Sequence, residues 1–166
     1  MKKTYLLFFC ILILLIIALC ACSTQKKELQ EPVSFYYASS DITYNSPTGV
    51  ISSEIREGVG YHGNLSAFLH AYLRGPASSN LENVFPSDVY LVSCEIEEQV
   101  AKITLSAQLS NLSELKLTTA CSALLMTVHE YTGVDTICIQ AKGEKLDGKD
   151  AITLSMDDVI FIDTVE

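Results

Sequence analysis

The sequence predicts an α+β domain: a two-layer sandwich in which a small mixed β-sheet carries two helices on one face, in the order β-α-β-β-α-β. Two segments repeat apolar residues three and four positions apart, which is typical of amphipathic helices. Between them, two segments alternate apolar and polar residues on either side of a short polar turn, which is typical of a β-hairpin. Further β-rich segments lie before the first helix and after the second.

The first predicted strand is Val33–Tyr37, which is rich in β-branched and aromatic residues and follows Pro32. After it, Asp41–Gly63 is rich in Gly, Asn, Pro and Ser, so we expect a long loop with one short strand, Gly49–Ile55, inside it. Loops of this length are either functional or mobile. This loop is where a ligand pocket could be built.

The first predicted helix is Asn64–Leu73. Asn64 is suited to the N-cap position, because its side chain can accept a hydrogen bond from a free helix amide. Gly75 and Pro76 end the helix, since Gly adopts the left-handed conformation and Pro cannot continue a helix. The apolar residues fall on one face of the helix: Leu65, Phe68, Leu69 and Tyr72.

The predicted hairpin consists of the strands Val89–Ile96 and Val100–Leu105. The turn between them, Glu97-Glu98-Gln99, has no Gly, although tight hairpin turns favour that residue. The alternation predicts one apolar face on each strand. These faces are Tyr90, Val92, Cys94 and Ile96 on the first strand, and Ala101, Ile103 and Leu105 on the second.

The second predicted helix is Ser113–Tyr131, with Ser113 as N-cap and Gly133 as C-cap. A strand follows at Val134–Ala141, then a charged turn region and a last, weakly β segment around Val159–Ile162. The buried stripe of the helix is expected to be Leu117, Cys121, Leu124, Leu125 and Val128.

The N-terminus has the three parts of a secretory signal: Lys2 and Lys3, an apolar run of about 15 residues, and a region with small residues. It ends in Leu19-Cys20-Ala21-Cys22. Bacterial lipoprotein signals place an aliphatic residue, a small residue and then the acylated Cys in this way, so we expect Cys22 to carry the lipid. Cys20 is the competing site, but Leu19 before it is large. The alternative is an uncleaved membrane anchor.

This interpretation divides the chain into a signal peptide (1–21), a flexible polar tether (22–32) and a single domain (33–166, core about 35–143). Loss of the signal changes the net charge from −9 to about −11. Such an acidic chain is not expected to bind nucleic acid, because phosphate binding needs Lys and Arg. Attachment to the membrane is therefore expected to rest on the acyl chains.

No residue pattern predicts catalysis or a resident cofactor or metal. The histidines His62, His70 and His129 have no nucleophile at a suggestive spacing, and we interpret them as surface residues. The acidic C-terminal residues do not match a calcium loop, and we interpret them as a solvated face. They are Asp147, Asp150, Asp157 and Asp158.

The cysteines of the predicted domain are odd in number, so they cannot all form disulfides. We interpret Cys94, Cys121 and Cys138 as small apolar residues, with a Cys94–Cys138 disulfide as the less favoured alternative.

Three segments, in this order, resemble the GerMN domain, a sporulation and spore-germination module of extracytoplasmic bacterial lipoproteins. They are Leu69–Pro76 (LHAYLRGP), Leu91–Ser106 (LVSCEIEEQVAKITLS) and Thr132–Ile139 (TGVDTICI). The sequence departs from the family pattern at Gln99, where an Asp-Gly turn is common. The resemblance implies a compact α+β domain without known enzyme chemistry. It also implies a scaffold or assembly role at the cell envelope, with protein partners and side-by-side self-association.

Two functions follow as expectations. The first is a lipid-anchored extracytoplasmic lipoprotein that serves as a non-enzymatic scaffold in sporulation or germination. The alternative is an extracytoplasmic lipoprotein that binds a ligand or the cell wall, which would need a pocket with converging polar groups.

Overall fold

The structure, a computed structural model, describes residues 29–40 and 50–159. Its helices and strands in chain order are β1 (Pro32–Ser39), β2 (Ile51–Glu57), α1 (Leu65–Leu73), β3 (Leu81–Glu82), β4 (Leu91–Glu97), β5 (Val100–Leu105), α2 (Glu114–Thr132), β6 (Thr136–Ala141) and β7 (Ile152–Ser155).

The strands form two sheets. The first has the order β2-β1-β3 and is antiparallel throughout. The second has the order β4-β5-β6-β7, in which β5 and β6 are parallel and the other neighbours antiparallel. The predicted α+β class is confirmed. The strands are divided between two sheets rather than placed in one, because β1 pairs with β2 and β3 and not with the hairpin.

Strand β2 spans Ile51–Glu57, two residues further along the chain than the strand expected at Gly49–Ile55. It pairs with β1 along seven residues, from Pro32 opposite Glu57 to Ala38 opposite Ile51. Its charged residues face the core side, since Glu54 lies opposite the buried Phe35, and its Ile55 is 60% exposed. This reversal of the usual alternation weakens the strand pattern of the segment in the sequence.

Helix α1 follows the prediction at both ends. The side chain of Asn64 accepts a hydrogen bond from the amide of Ala67 over 3.0 Å. At the other end, Gly75 has φ +89° and its amide donates to the carbonyl of Tyr72 over 3.0 Å. Of the predicted face, Phe68, Leu69 and Tyr72 are buried.

The predicted face of β4 is wrong in its first half because a bulge separates Leu91 from Ser93. The extra residue shifts the alternation by one position. Leu91 is consequently buried opposite Leu105, whereas Val92 is 38% exposed. Beyond the bulge the expected phase returns, and Cys94 lies opposite Ile103 on the core side. On β5, the predicted inward residues Ala101, Ile103 and Leu105 are all buried.

The hairpin turn is tight although it has no Gly. Glu97 pairs with Val100, so Glu98 and Gln99 form a two-residue loop. Both have positive φ, 48° and 67°, as the turn that fits twisted strands requires. Two non-glycine residues are therefore held in the left-handed region.

Helix α2 and strand β6 lie where the sequence predicts them, and the whole predicted stripe of α2 is buried. Gly133 has φ +72° and its amide donates to the carbonyl of His129, whereas the side chain of Ser113 makes no capping hydrogen bond. The predicted position of the last strand, around Val159–Ile162, is wrong. Strand β7 spans Ile152–Ser155, and Val159 follows a short 3-10 turn. Residues 160–162 of the predicted segment lie outside the described part.

Aromatic rings connect the first sheet to both helices. The ring of Phe68 in α1 stacks on Phe35 of β1, with centroids 4.7 Å apart, and on Tyr131 of α2 at 3.9 Å. The ring of Tyr37 in β1 stacks on Tyr72 of α1 at 5.0 Å. Because aromatic pairs bury large areas, this cluster holds β1 against the helical layer.

Candidate functional site

The predicted lipidation residue, Cys22, and its competitor Cys20 lie outside the described residues, as do the signal and most of the tether. In residues 29–40 and 50–159, neither helix combines the length and the apolar character needed to cross a membrane.

Two of the three histidines lie next to carboxylates. Nδ1 of His62 lies 3.2 Å from Oε2 of Glu31, and both side chains are well exposed. Nδ1 of His129 lies 3.0 Å from Oδ1 of Asp135, outside hydrogen-bond geometry. His70 is exposed on α1. The three histidines lie on different parts of the fold, His62 before α1, His70 within α1 and His129 near the end of α2.

Three of the acidic C-terminal residues lie in separate local settings. Asp158 accepts hydrogen bonds from the backbone amide and the hydroxyl of Ser155, which caps the 3-10 turn. Asp150 lies 3.7 Å from Lys145, and Asp147 occupies a turn with φ 49°. No group of three or more His, Cys, Asp and Glu side chains in the described ranges is arranged to hold a metal ion.

The cysteines Cys94, Cys121 and Cys138 are unpaired thiols. Cys94 faces the core opposite Ile103, whereas Cys138 lies opposite Lys102 on the other face of the same sheet. A disulfide between them is therefore excluded by geometry. Burial raises the pKa of the Cys121 thiol to about 12, so it stays protonated and unreactive.

A charged pair on β2 fastens the corner after α1 to the first sheet. Nε of Arg56 donates to Oε1 of Glu54 over 2.6 Å, and Nη2 donates to the carbonyl of Gly75 over 2.6 Å. The guanidinium also lies 4.8 Å from the ring centroid of Phe35. The cation thus sits at the C-terminal end of the helix, where free carbonyls and the helix dipole favour positive charge.

Glu54 completes this corner on the other side. Its carboxylate accepts hydrogen bonds from the amides of Ala77 and Ser78, over 3.0 and 2.9 Å. Burial alone would raise the pKa of Glu54, but these amides and the Arg56 guanidinium outweigh burial and lower the pKa below its usual range. The donors of Arg56 and the acceptors of Glu54 are used within the protein, so the pair serves the fold.

An apolar groove of about 500 Å³ lies between the end of β1, the segment after β3 and the first turns of α2. Leu115 on its rim is 78% exposed and Val50 is 48% exposed. The sequence contained a signal for it, since Leu115 is a large apolar residue outside the buried stripe of α2. Its floor and walls include Val84, Phe85, Leu112 and Thr119.

The comparisons with known proteins agree with this architecture. The model of the Germane family, described as sporulation and spore germination, matches residues 34–147. The chain belongs to the Germane family. The resemblance to GerMN domains seen in the sequence is thereby confirmed. A comparison with curated protein sequences gives no significant match.

Solved structures with this fold include the tandem GerMN domains of the sporulation protein GerM from Bacillus subtilis. That match has 16% identity and a TM-score of 0.57, and it covers 81% of this chain and 48% of the other. The first GerMN domain of GerM alone gives 15% identity and a TM-score of 0.49, over 76% and 99% of the two chains. A candidate lipoprotein from Clostridium perfringens gives 19% identity and a TM-score of 0.49, over 82% and 95%.

The Germane-family chain spans about half of the tandem structure, as one domain of two would. At such low identity the likeness shows the fold and leaves activity and partners to be argued from the residues themselves.

Proposed function

We propose that this Germane-family chain is a lipid-anchored protein on the extracytoplasmic face of the cell membrane. Its domain binds other envelope proteins during sporulation or spore germination, as a scaffold and not as an enzyme. Acylated Cys22 supplies the attachment to the membrane lipid.

The observation that carries this proposal is the order of two features in the chain. The motif Leu19-Cys20-Ala21-Cys22 ends an apolar N-terminal run, and the family match begins at residue 34. The polar residues between them would span about 3.3 Å each if extended, enough to hold the domain off the bilayer. A sporulation domain on a lipid tether is suited to bringing partners together at a membrane.

The side chains that could do chemistry support a binding role. The Germane family is not known for catalysis. Cys121 is buried and its thiol pKa is raised. The side chains of Arg56 and Glu54 hydrogen-bond each other, and Arg56 also hydrogen-bonds the carbonyl of Gly75 in the corner after α1. By contrast, Leu115 and the groove beside it expose apolar surface, which in soluble domains often marks a contact with another protein.

The attachment is tested by expressing Cys22→Ala and Cys20→Ala variants in a bacterium fed an alkyne analogue of palmitate. Wild type and Cys20→Ala should incorporate the label and pellet with membranes. Cys22→Ala should remain unlabelled and keep its N-terminal residues. Label on Cys22→Ala but not on Cys20→Ala would assign the lipid to Cys20, and no label on any form would reject lipid anchoring.

A further inference from the structure

Strand β4 is an open edge of the four-stranded sheet. It pairs with β5 on one side, and in the described part of the chain no strand pairs with the other side. In a two-residue hairpin the residues that flank the turn form a hydrogen-bonded pair, here Glu97 and Val100. Counting back from this pair, the N–H and C=O groups of Ile96 and Cys94 point away from β5. The edge therefore offers free backbone donors and acceptors.

Apolar side chains line this edge. Ile96 is 46% exposed, and Val92 and the preceding Tyr90 are exposed as well. Between Ile96 and the start of α1 lies an open cleft of about 530 Å³, bounded by Cys94, Leu65 and Ser66. An extended chain added beside β4 would direct every second side chain toward this cleft.

The other face of the edge is acidic. Glu95 and Glu97 both project from the outer face, opposite the side on which Cys94 and Ile96 lie, and Glu98 follows in the turn. Lys102 on β5 pairs with Glu97 and lies near Glu95, so one cation faces two carboxylates. The edge thus favours a partner with positive charge. A second copy would bring the same carboxylates on a chain of net charge −9, which disfavours self-pairing.

We propose that β4 binds an extended basic segment of a protein partner by strand addition. Lys or Arg residues at alternate positions face Glu95 and Glu97, and apolar residues between them enter the cleft beside Ile96. The backbone groups of β4 give affinity, and the alternating pattern gives specificity. This inference rests on the proposed scaffold function, because it assigns that function a surface and a class of partner.

The test uses the full-length acylated protein in nanodiscs of neutral lipid. Its probe is a fluorescent ten-residue peptide of alternating Lys and Val, with alternating Glu and Val as the control peptide. Fluorescence anisotropy should show saturable binding of the Lys peptide and not of the Glu peptide. The double variant Glu95→Lys/Glu97→Lys should weaken binding by about tenfold or more, since both cross-strand charge pairs become repulsive.

Two further variants separate strand addition from general attraction to an acidic protein. The double variant Glu144→Lys/Asp150→Lys reverses the same number of exposed charges beyond the opposite end of the sheet and should leave binding nearly unchanged. Ile96→Pro removes an outward amide and should weaken binding, with its melting temperature measured alongside. Absent binding, equal loss in Glu144→Lys/Asp150→Lys, or full binding by a folded Ile96→Pro protein would overturn the inference. Dimers of the wild-type protein that the Glu95→Lys/Glu97→Lys substitutions abolish would also overturn it, because the edge would then bind a second copy.

Recovery of envelope proteins from cells distinguishes the two proposals. If wild type recovers partners and the Glu95→Lys/Glu97→Lys variant recovers them equally well, the scaffold function stands and the β4 inference fails. If the acylated wild type recovers no envelope protein, the proposed function itself fails.

Discussion

The backbone amide of Tyr36 in β1 donates a hydrogen bond to Oγ1 of Thr127 in α2 over 2.9 Å. The hydroxyl of Tyr72 donates to the carbonyl of the same Tyr36, also over 2.9 Å. Among the described residues, strand β3 pairs with Ala38 and Ser39 and does not reach this point. Two helix side chains thus take the place of a neighbouring strand.

Replacing Thr127 by Val should destabilise the domain by about 1–3 kcal/mol, because the Tyr36 amide loses its acceptor in a buried place. Thr127→Ser keeps the hydroxyl and should cost clearly less. Urea unfolding of the three proteins measures the difference. If Thr127→Val and Thr127→Ser unfold at the same urea concentration, the hydrogen bond does not hold β1 to α2.

Replacing Arg56 by Met should destabilise the domain by about 2–4 kcal/mol, since it leaves the largely buried carboxylate of Glu54 without its counter-ion. The carbonyl of Gly75 would lose its donor as well. Lys102→Met is the matched control: it removes a cation from an exposed pair on β5 and should change the unfolding free energy little. Similar effects of both substitutions would mean that the corner after α1 does not depend on Arg56.

Acid should weaken the same corner. The pKa of Glu54 is lower in the folded protein than its usual value, so its ionised form contributes stability at pH values above the usual value, about 4.3. That contribution is lost as the pH falls from there through the folded pKa. Melting temperatures between about pH 7 and pH 3 should fall less steeply for Glu54→Gln than for wild type. Parallel curves would reject this role of Glu54.

The hairpin turn should be improved by glycine. Gln99 has φ 67°, and Gly adopts that conformation without a steric penalty. We expect Gln99→Gly to stabilise the domain by about 0.5–1 kcal/mol, measured by urea unfolding. Gln140→Gly, at an exposed position within β6, should instead destabilise it. A loss of stability in Gln99→Gly would show that the Gln side chain has a role in the turn.

Both helices could be predicted because their apolar spacing and end residues agree. Asn64 caps α1 and Gly133 ends α2 as the sequence indicates. Strand β2 could not be predicted in full, because Glu54 and Arg56 occupy its core-facing positions and Ile55 its exposed one. Only the partner strand and the corner after α1 make that arrangement favourable, and both are distant in sequence.

The candidate surfaces were also only partly visible in the sequence. Leu115 is visible in the sequence as a large apolar residue outside the predicted stripe of α2, and it is exposed. The bulge at Val92, which buries Leu91 and leaves Val92 exposed, has no local sequence signal such as Gly. The groove beside Leu115 depends on the segment after β3 packing against α2, a contact that periodicity within one element cannot reveal.

The central claim is that this Germane-family chain gathers envelope proteins at the membrane. Crosslinking followed by purification of the full-length acylated protein from membranes, at several growth stages, tests it most directly. We expect sporulation proteins to be enriched late in growth and lost with Cys22→Ala. Recovery of cell-wall fragments or wall enzymes during vegetative growth, with no sporulation proteins at any stage, would contradict the claim and favour a wall-binding lipoprotein.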